Sequence, residues 1–470
     1  MKLLLKTFVV IALAGAVVLP VLADDAKDQK DLKKVVQDES INYVETAQKG
    51  IVLSGYVDTS YTYQFAGAGE YGQVGNVGGG PANVHSNLRQ FDTSNNTFNV
   101  NAVKIALEKA LPDKNEWAAG FRIDTIYGSD AKYLADSAFN STATTTSGSN
   151  SSGLALEQAL VKFRIPVGNG LDIYMGKFVT FLGYEVIESP ANLNFSRGLL
   201  FTNAIPLTHT GIYADYKFND TFEAKFGIVD GWNNSTSSSV GVAGVSTNDS
   251  SSFGKAITGQ LTINAPGKNA NITQSFIYSP EGEPGVIGMD NGPIVVYDIW
   301  GNWNPTFVKD SALLLGFNID LGYNGASGLP SGGSFAEPDG DTMTGPVNDT
   351  NTWWGAALYA QYKFNKVFNL AGRAEYLHSD SALFPKFGPQ GGIENESAEV
   401  FNPSPSQDDF SYTLTASFNI WDNLLTRIEY RADIISGPSN PAPDLSDSEA
   451  NLNGKSSVQH EISLNAVYSF

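Results

Sequence analysis

Cysteine is absent from the chain. That excludes a disulfide framework and a lipid anchor on an N-terminal cysteine. Histidine is almost as scarce: the four are His85, His209, His378 and His460. There is no Gly-x-Ser-x-Gly turn, no His-Glu-x-x-His helix and no phosphate-cradling glycine loop ahead of a helix. A lipase or protease would need serine, histidine and carboxylates converging at one point, so no catalytic residue is expected. Positive charge is short as well. Twenty-nine Lys and Arg face 49 Asp and Glu, a net charge of −20. This balance argues against nucleic acid, which needs a basic footprint, and against docking on an anionic lipid surface. Asp339, Asp341 and Asp349 lie close together but lack the spacing and terminal glutamate of a calcium loop, so neither metal nor cofactor is expected. Long apolar runs are missing after the first two dozen residues, and no later segment reaches the about 20 residues of a spanning helix.

The apolar run that does exist has the form of a secretory signal. Lys2 and Lys6 precede Phe8 to Leu22, and Val21-Leu22-Ala23 offers compact residues to a peptidase cutting after Ala23. A retained anchor is the competing reading, and the run is short for it. Residues 24–49 are rich in Asp, Lys, Gln and Glu, with Leu32, Val35, Val36, Ile41 and Val44 loosely at helical spacing. They read as a periplasmic tail, either a short helix or a disordered leader.

From Gly50 onward the period is two. Trp117, Ala119, Phe121, Ile123, Thr125 and Tyr127 share one face, with Gly120, Arg122 and Asp124 on the other. Leu313 to Tyr323 and Tyr412 to Ile420 repeat the split. Successive strand side chains point to opposite faces, so one face is apolar and the other polar or charged. Alternation alone does not separate a half-buried soluble sheet from a membrane barrel. The connections do. Short turns at Pro112–Asn115, Val167–Gly170, Asn219–Asp220, Asn365–Lys366 and Trp421–Asn423 alternate with long Gly-, Ser-, Asn- and Thr-rich loops. Short periplasmic turns and long external loops around strands of about ten residues are the pattern of outer-membrane barrels. Counting from Ile51 predicts an all-β, antiparallel up-and-down transmembrane barrel of about 16 strands over residues 50–470. Only a closed barrel leaves no unpaired backbone edge in lipid.

The C-terminal strand ends Val467-Tyr468-Ser469-Phe470 with alternating apolar residues. Tyr468 and Phe470 resemble the signal that hands such chains to the barrel assembly machinery. Two hairpins echo each other: Tyr213 to Asn219 followed by Phe222, and Tyr359 to Asn365 followed by Phe368. Their rings suit the lipid–water interface at the short-turn rim. Trp232, Tyr278, Tyr323, Trp353 and Tyr376 are candidates for the opposite girdle.

Gly55-Tyr56-Val57-Asp58-Thr59-Ser60-Tyr61, Gly176-Lys177-Phe178 followed by Gly183-Tyr184-Glu185, His209-Thr210-Gly211, Asp230-Gly231-Trp232 and Gly372-Arg373-Ala374-Glu375-Tyr376 occur in that order. Their sequence resembles the OmpL-like beta-barrel porin-2 family over about residues 50–470. The resemblance implies an outer-membrane barrel and a pore, in contact with outer-membrane lipids. It brings no known solute.

The polar faces carry both signs. Arg122, Asp124, Lys162, Arg164, Asp172, Asp215, Lys217, Glu223 and Lys225 are expected to line the lumen. So are Asp298, Asp320, Arg373, Glu375, Arg427, Glu429, Arg431 and Asp433. Charges facing lipid are costly, so these must face water or pair across neighbouring strands. The loop from Phe178 to Pro206, third of the long loops, is unlike the others. It is apolar, with Leu182, Ile187, Leu193, Phe195 and Leu199 to Phe201, and holds Glu185, Glu188 and Arg197. An apolar loop needs burial, so it is expected to enter the lumen as a constriction; packing at the outer rim or a trimer contact is the alternative. The expected function is an outer-membrane porin of a Gram-negative-type bacterium, passing small hydrophilic solutes or ions by diffusion, with a homotrimer among the assemblies open to it. The competing reading is a closed surface-binding barrel that uses its acidic loops (Glu337, Asp339, Asp341, Asp444, Asp447, Glu449) to hold a partner.

Overall fold

The computed structural model describes residues 50–65, 91, 96–134, 153–233, 255–280, 293–325, 334–336, 342–344, 351–380, 407–436 and 457–470. The expected signal and tail and the acidic external residues lie outside these.

Residues with apolar and small side chains in alternation take extended backbone and pair in sequence order. The first strands are β1 (Ile51–Phe65), β2 (Thr97–Lys109), β3 (Ala118–Tyr127), β4 (Leu154–Ile165), β5 (Leu171–Val179) and β6 (Thr208–Lys217). Next come β7 (Phe222–Val229), β8 (Ala256–Asn264), β9 (Ala270–Ser279), β10 (Ile294–Trp303) and β11 (Leu313–Asn324). A small pair, β12 (Ser334–Ala336) and β13 (Thr342–Thr344), precedes β14 (Asn351–Lys363), β15 (Phe368–Ser379), β16 (Gln407–Trp421), β17 (Leu424–Ser436) and β18 (Ser457–Ser469). Apart from β12 and β13, which pair only with each other, they form one closed antiparallel barrel. β18 closes it on β1, with Tyr56 opposite Ser469, and Gly55 and Phe470 exchange both backbone hydrogen bonds at 2.9 Å. A side chain at position 55 would meet the Lys104 carbonyl of β2 2.1 Å away and the Phe470 ring 2.8 Å away, so the close approach of β2 here requires glycine.

The turns at one end are all short. In the two echoed hairpins an asparagine builds the turn by the same contacts. Asn219 Oδ1 accepts from the amides of Thr221 and Phe222, and Asn365 Oδ1 from those of Val367 and Phe368, at 2.8 and 2.9 Å in each case. The rings beside them, Phe218, Phe222, Phe364 and Trp421, are exposed at this rim. Tyr278 and Tyr323 are exposed toward the other end. Trp353 and Trp232 do not belong to a girdle: each is about 1% exposed. Alternation sends Trp354 outward and Trp353 inward, where its indole donates to the Ala204 carbonyl at 3.2 Å.

The outer wall carries exposed Ile212, Phe226, Ile228, Leu321, Leu358, Leu414 and Tyr412. The buried cluster lies inside, and much of it belongs to the connection between β5 and β6.

Candidate functional site

The β5–β6 connection runs from Thr180 to Leu207 and carries the short helix α1 (Leu199–Asn203). Phe181, Leu182, Ile187, Phe195, Leu199, Leu200, Phe201 and Ile205 are all buried. Its polar groups bond to lumen-facing side chains around the wall. The Phe181 carbonyl accepts from Gln260 on β8 (2.7 Å) and Ser275 on β9 (2.9 Å). The Tyr184 hydroxyl donates to Asn302 on β10 (2.7 Å), and its amide to Asn318 on β11 (2.9 Å). Asn194 donates to Thr415 on β16 at 2.7 Å. Contacts with β2, β14, β15 and β17 complete the circuit. The loop therefore lies across the barrel interior.

Three expected charges of the loop all take wall or loop partners. Glu185 pairs with Arg373 at 2.6 Å and accepts the Gly198 amide at 2.5 Å. Glu188 pairs with Lys104 at 2.6 Å. Arg197 reaches Asp130 at 3.4 Å, stands 4.8 Å over the Phe91 ring and donates to the Ile187 carbonyl. Burial works against ionisation of Glu188; the Lys104 ammonium and its hydrogen bond override it and hold the carboxyl below its ordinary range.

The wall charges divide in two. Asp124, Asp298, Asp320, Arg373, Glu375, Arg427, Glu429, Arg431 and Asp433 are buried. Several grip the loop backbone. Arg427 donates to the Ser189 hydroxyl (2.6 Å) and to the Ser189 and Asn194 carbonyls (3.1 Å each). Glu429 accepts the amides of Phe195 (2.6 Å) and Ser196 (2.9 Å), and Arg431 donates to the Arg197 carbonyl (2.7 Å). Asp298 and Asp320 face each other across β10 and β11, with Asn318 donating to Asp298 at 2.6 Å. By contrast Arg122, Lys162, Arg164, Asp172, Asp215, Glu223 and Lys225, on β3 to β7, keep partial access to water. Lys217 sits at the short-turn rim, its side chain 56% exposed and paired with Asp220 at 2.8 Å.

Pairing across neighbouring strands was expected, and Arg164–Asp172 (2.6 Å) has that form. Yet many pairs run along one strand: Arg122–Asp124 (2.8 Å), Arg373–Glu375 (2.9 Å), Arg431–Asp433 (2.8 Å) and Glu223–Lys225 (3.8 Å). Residues two apart share a face, so an Arg-x-acid spacing is itself a pairing signal.

Sequence reasoning missed Lys104, Glu157 and Asp58. Lys104 Nζ stands among Asp124 (3.1 Å), Glu157 (2.8 Å) and Glu188 (2.6 Å), so an ammonium holds the centre of the one carboxylate cluster of metal-binding dimensions found among the described residues. Glu157 is the extra residue of a bulge: Asp124 pairs with Gln158 and Thr125 with Leu156. A bulge re-aims a side chain. Glu157 and Gln158 are consequently both buried, which strict alternation does not foresee. Asp58 Oδ1 accepts from Asn101 (2.7 Å) and Asn465 (2.6 Å), a bridge between β2 and β18 over β1. Tyr468 and Phe470 are about half exposed on the outer wall.

A closed sixteen-strand antiparallel barrel with an apolar exterior, ionised groups inside and a loop across its interior defines an outer-membrane porin. The chain belongs to the family described as Putative beta-barrel porin-2, OmpL-like, which matches residues 50–470. Its location is the outer membrane. Among solved structures it is similar to the outer membrane channel DcaP of Acinetobacter baumannii, at 13% identity over 89% of this chain and 97% of that one, with TM-score 0.49. It is also similar to OprB of Pseudomonas putida, at 12% identity over 92% and 97%, with TM-score 0.49. The trimer form of OmpT from Vibrio cholerae aligns at 10% identity over 89% and 99%, with TM-score 0.48. No curated protein matches the chain in sequence.

Proposed function

We propose that the chain passes small hydrophilic solutes or ions by diffusion along the β3–β7 side of the interior, past a constriction formed by the Thr180–Leu207 loop. The observation that carries this reading is the split of the wall charges. On β14 to β18 the loop covers Arg373, Glu375, Arg427, Glu429 and Arg431, while Arg122, Lys162, Arg164, Lys225, Asp172, Asp215 and Glu223 keep contact with water. A passage needs wet ionisable groups, and at close quarters such groups set ion selectivity. Glu185, Glu188 and Arg197 act here as anchors that hold the constriction in place. No role as a catalyst is proposed, and a homotrimer is the assembly this reading favours.

Single-channel conductance in a planar bilayer, with the reversal potential under a salt gradient, tests it. Discrete open steps are expected. A folded, inserted barrel without conductance would move the reading to the closed surface-binding barrel, which the loop's bonds to nearly every part of the wall favour.

A further inference from the structure

At the short-turn end, the wall of β8, β9 and β10 differs in chemistry from the charged wall of β3 to β7. Its lumen-facing positions there are Thr262, Asn264, Asn271, Thr273, Trp300 and Asn302. None is ionisable. Asn264 stands opposite Asn271, and Asn271 opposite Asn302, so three carboxamides run side by side across three strands. Asparagine is disfavoured in strands, and no side-chain bond among the described residues accounts for Asn264 or Asn271.

The row lines a cavity of about 270 Å³, which Asn269 and Asn304 from the adjoining turns complete. That is close to the lower end of the about 300–1,000 Å³ that ligand pockets span. The turn asparagines spend their amides on the backbone: Asn269 donates to the Asn304 carbonyl (3.3 Å) and Asn304 to that of Leu313 (3.0 Å). Those of the row stay available. Asn302 Oδ1 takes the Tyr184 hydroxyl, which leaves its Nδ2 to donate elsewhere. Asn264 and Asn271 make no side-chain hydrogen bond among the described residues. The charges at the edge largely cancel, since Lys217 and Asp220 pair at 2.8 Å and only Lys268 adds to them.

A carboxamide offers two donors and an acceptor with two lone pairs. A row of them matches hydroxyl groups, which also donate and accept, and prefers neither sign of ion. We propose that this cavity binds a neutral carbohydrate at the short-turn end of the lumen, an assignment of solute class that rests on reading the interior as a passage. Tyr184 ties the cavity to the loop, so an occupant would sit where the constriction is anchored.

Titration calorimetry of the purified full-length barrel in detergent tests this, with glucose, maltose and sodium gluconate as probes. Saturable binding of glucose or maltose is expected, weakened at least tenfold in the Asn264→Ala/Asn271→Ala variant. Binding of gluconate alone, or neutral-sugar binding unchanged in a correctly folded variant, overturns the proposal. The absence of native cysteine supplies a second measurement that does not need the double variant. Alkylation of Asn271→Cys by a polar maleimide should slow several-fold in saturating maltose; an unchanged rate overturns the proposal as well. Conductance of the same preparation separates the two readings. A conducting barrel that binds no sugar ends the carbohydrate site alone, and a sugar-binding barrel that does not conduct ends the passage alone.

Discussion

Replacing Arg373 by glutamine should loosen the constriction while leaving the barrel closed. The guanidinium has no exposure and pairs with Glu185 at 2.6 Å and Glu375 at 2.9 Å. It also donates to the Ser196 carbonyl (2.6 Å), the Ser196 hydroxyl (3.1 Å) and Thr413 (3.0 Å). Glutamine removes the charge and leaves two buried carboxylates facing each other's neighbourhood unpaired. Breaking a buried pair in this way costs about 3–5 kcal/mol. At about 1.4 kcal/mol per tenfold, the balance between seated and loosened loop moves by roughly two to three and a half orders of magnitude. Arg427, Glu429 and Lys104 still hold Glu188 to Phe195, so the change should concentrate in the segment ends that Arg373 grips, at Glu185 and from Ser196 to Gly198. Hydrogen exchange followed by mass spectrometry should show faster exchange at those ends, and single-channel conductance should rise. The added change Glu185→Gln should restore part of the protection, because one of the two stranded charges is gone. A folded Arg373→Gln barrel with unchanged exchange and unchanged conductance would refute the anchoring argument.

Charge reversal should separate the wet wall from the buried one. Lys225→Glu should shift the reversal potential toward cations, whereas Arg431→Met should leave it in place and lower thermal stability; equal shifts in both would count against a passage along β3 to β7. Glu188 predicts a pH dependence. Its carboxyl is held below the ordinary value near about 4.3, so its contribution is complete above that value and is lost as pH falls through the depressed one. Conductance steps should therefore hold steady from neutral pH to about 4 and become noisy below it. Glu188→Gln should show the noise already at neutral pH, and a quiet variant would contradict the reading. Gly322→Ala would place a methyl carbon 1.8 Å from the Trp353 ring. Overpacking of about 1–3 kcal/mol should lower the melting point measured by circular dichroism, and no shift would mean that the ring can move aside.

Much of the barrel was legible from local pattern. The alternation of Phe121, Ile123 and Thr125 with Arg122 and Asp124 states which face meets lipid, because a strand has only two faces. Asn219 and Asn365 state where the chain turns, because their carboxamides build the turn from residues two and three positions on. The apolar character of Leu182, Ile187, Phe195 and Leu199 likewise required that their loop be buried. Alternation failed where its premise failed. At the bulge the phase slips by one residue, and Glu157 turns inward. On β2 the lumen-facing set runs through Asn101 and then Lys104, an odd step that brings the lysine under Glu188. Trp353 is settled by the phase of its strand: with Trp354 and Leu358 outward, Trp353 points inward, where the seated loop covers it.

The sequence by itself determined the number of strands, the two chemistries of the wall and the end at which the long loops lie, since each follows from residues next to one another in the chain. Only the tertiary structure decided which charges remain wet. Arg373, Arg427 and Glu429 differ from Lys225 and Glu223 in nothing local. They are buried because a loop some 180 to 240 residues distant in the chain crosses the barrel and offers them carbonyls and amides. Barrel closure brings those partners together, and no window along the chain contains both.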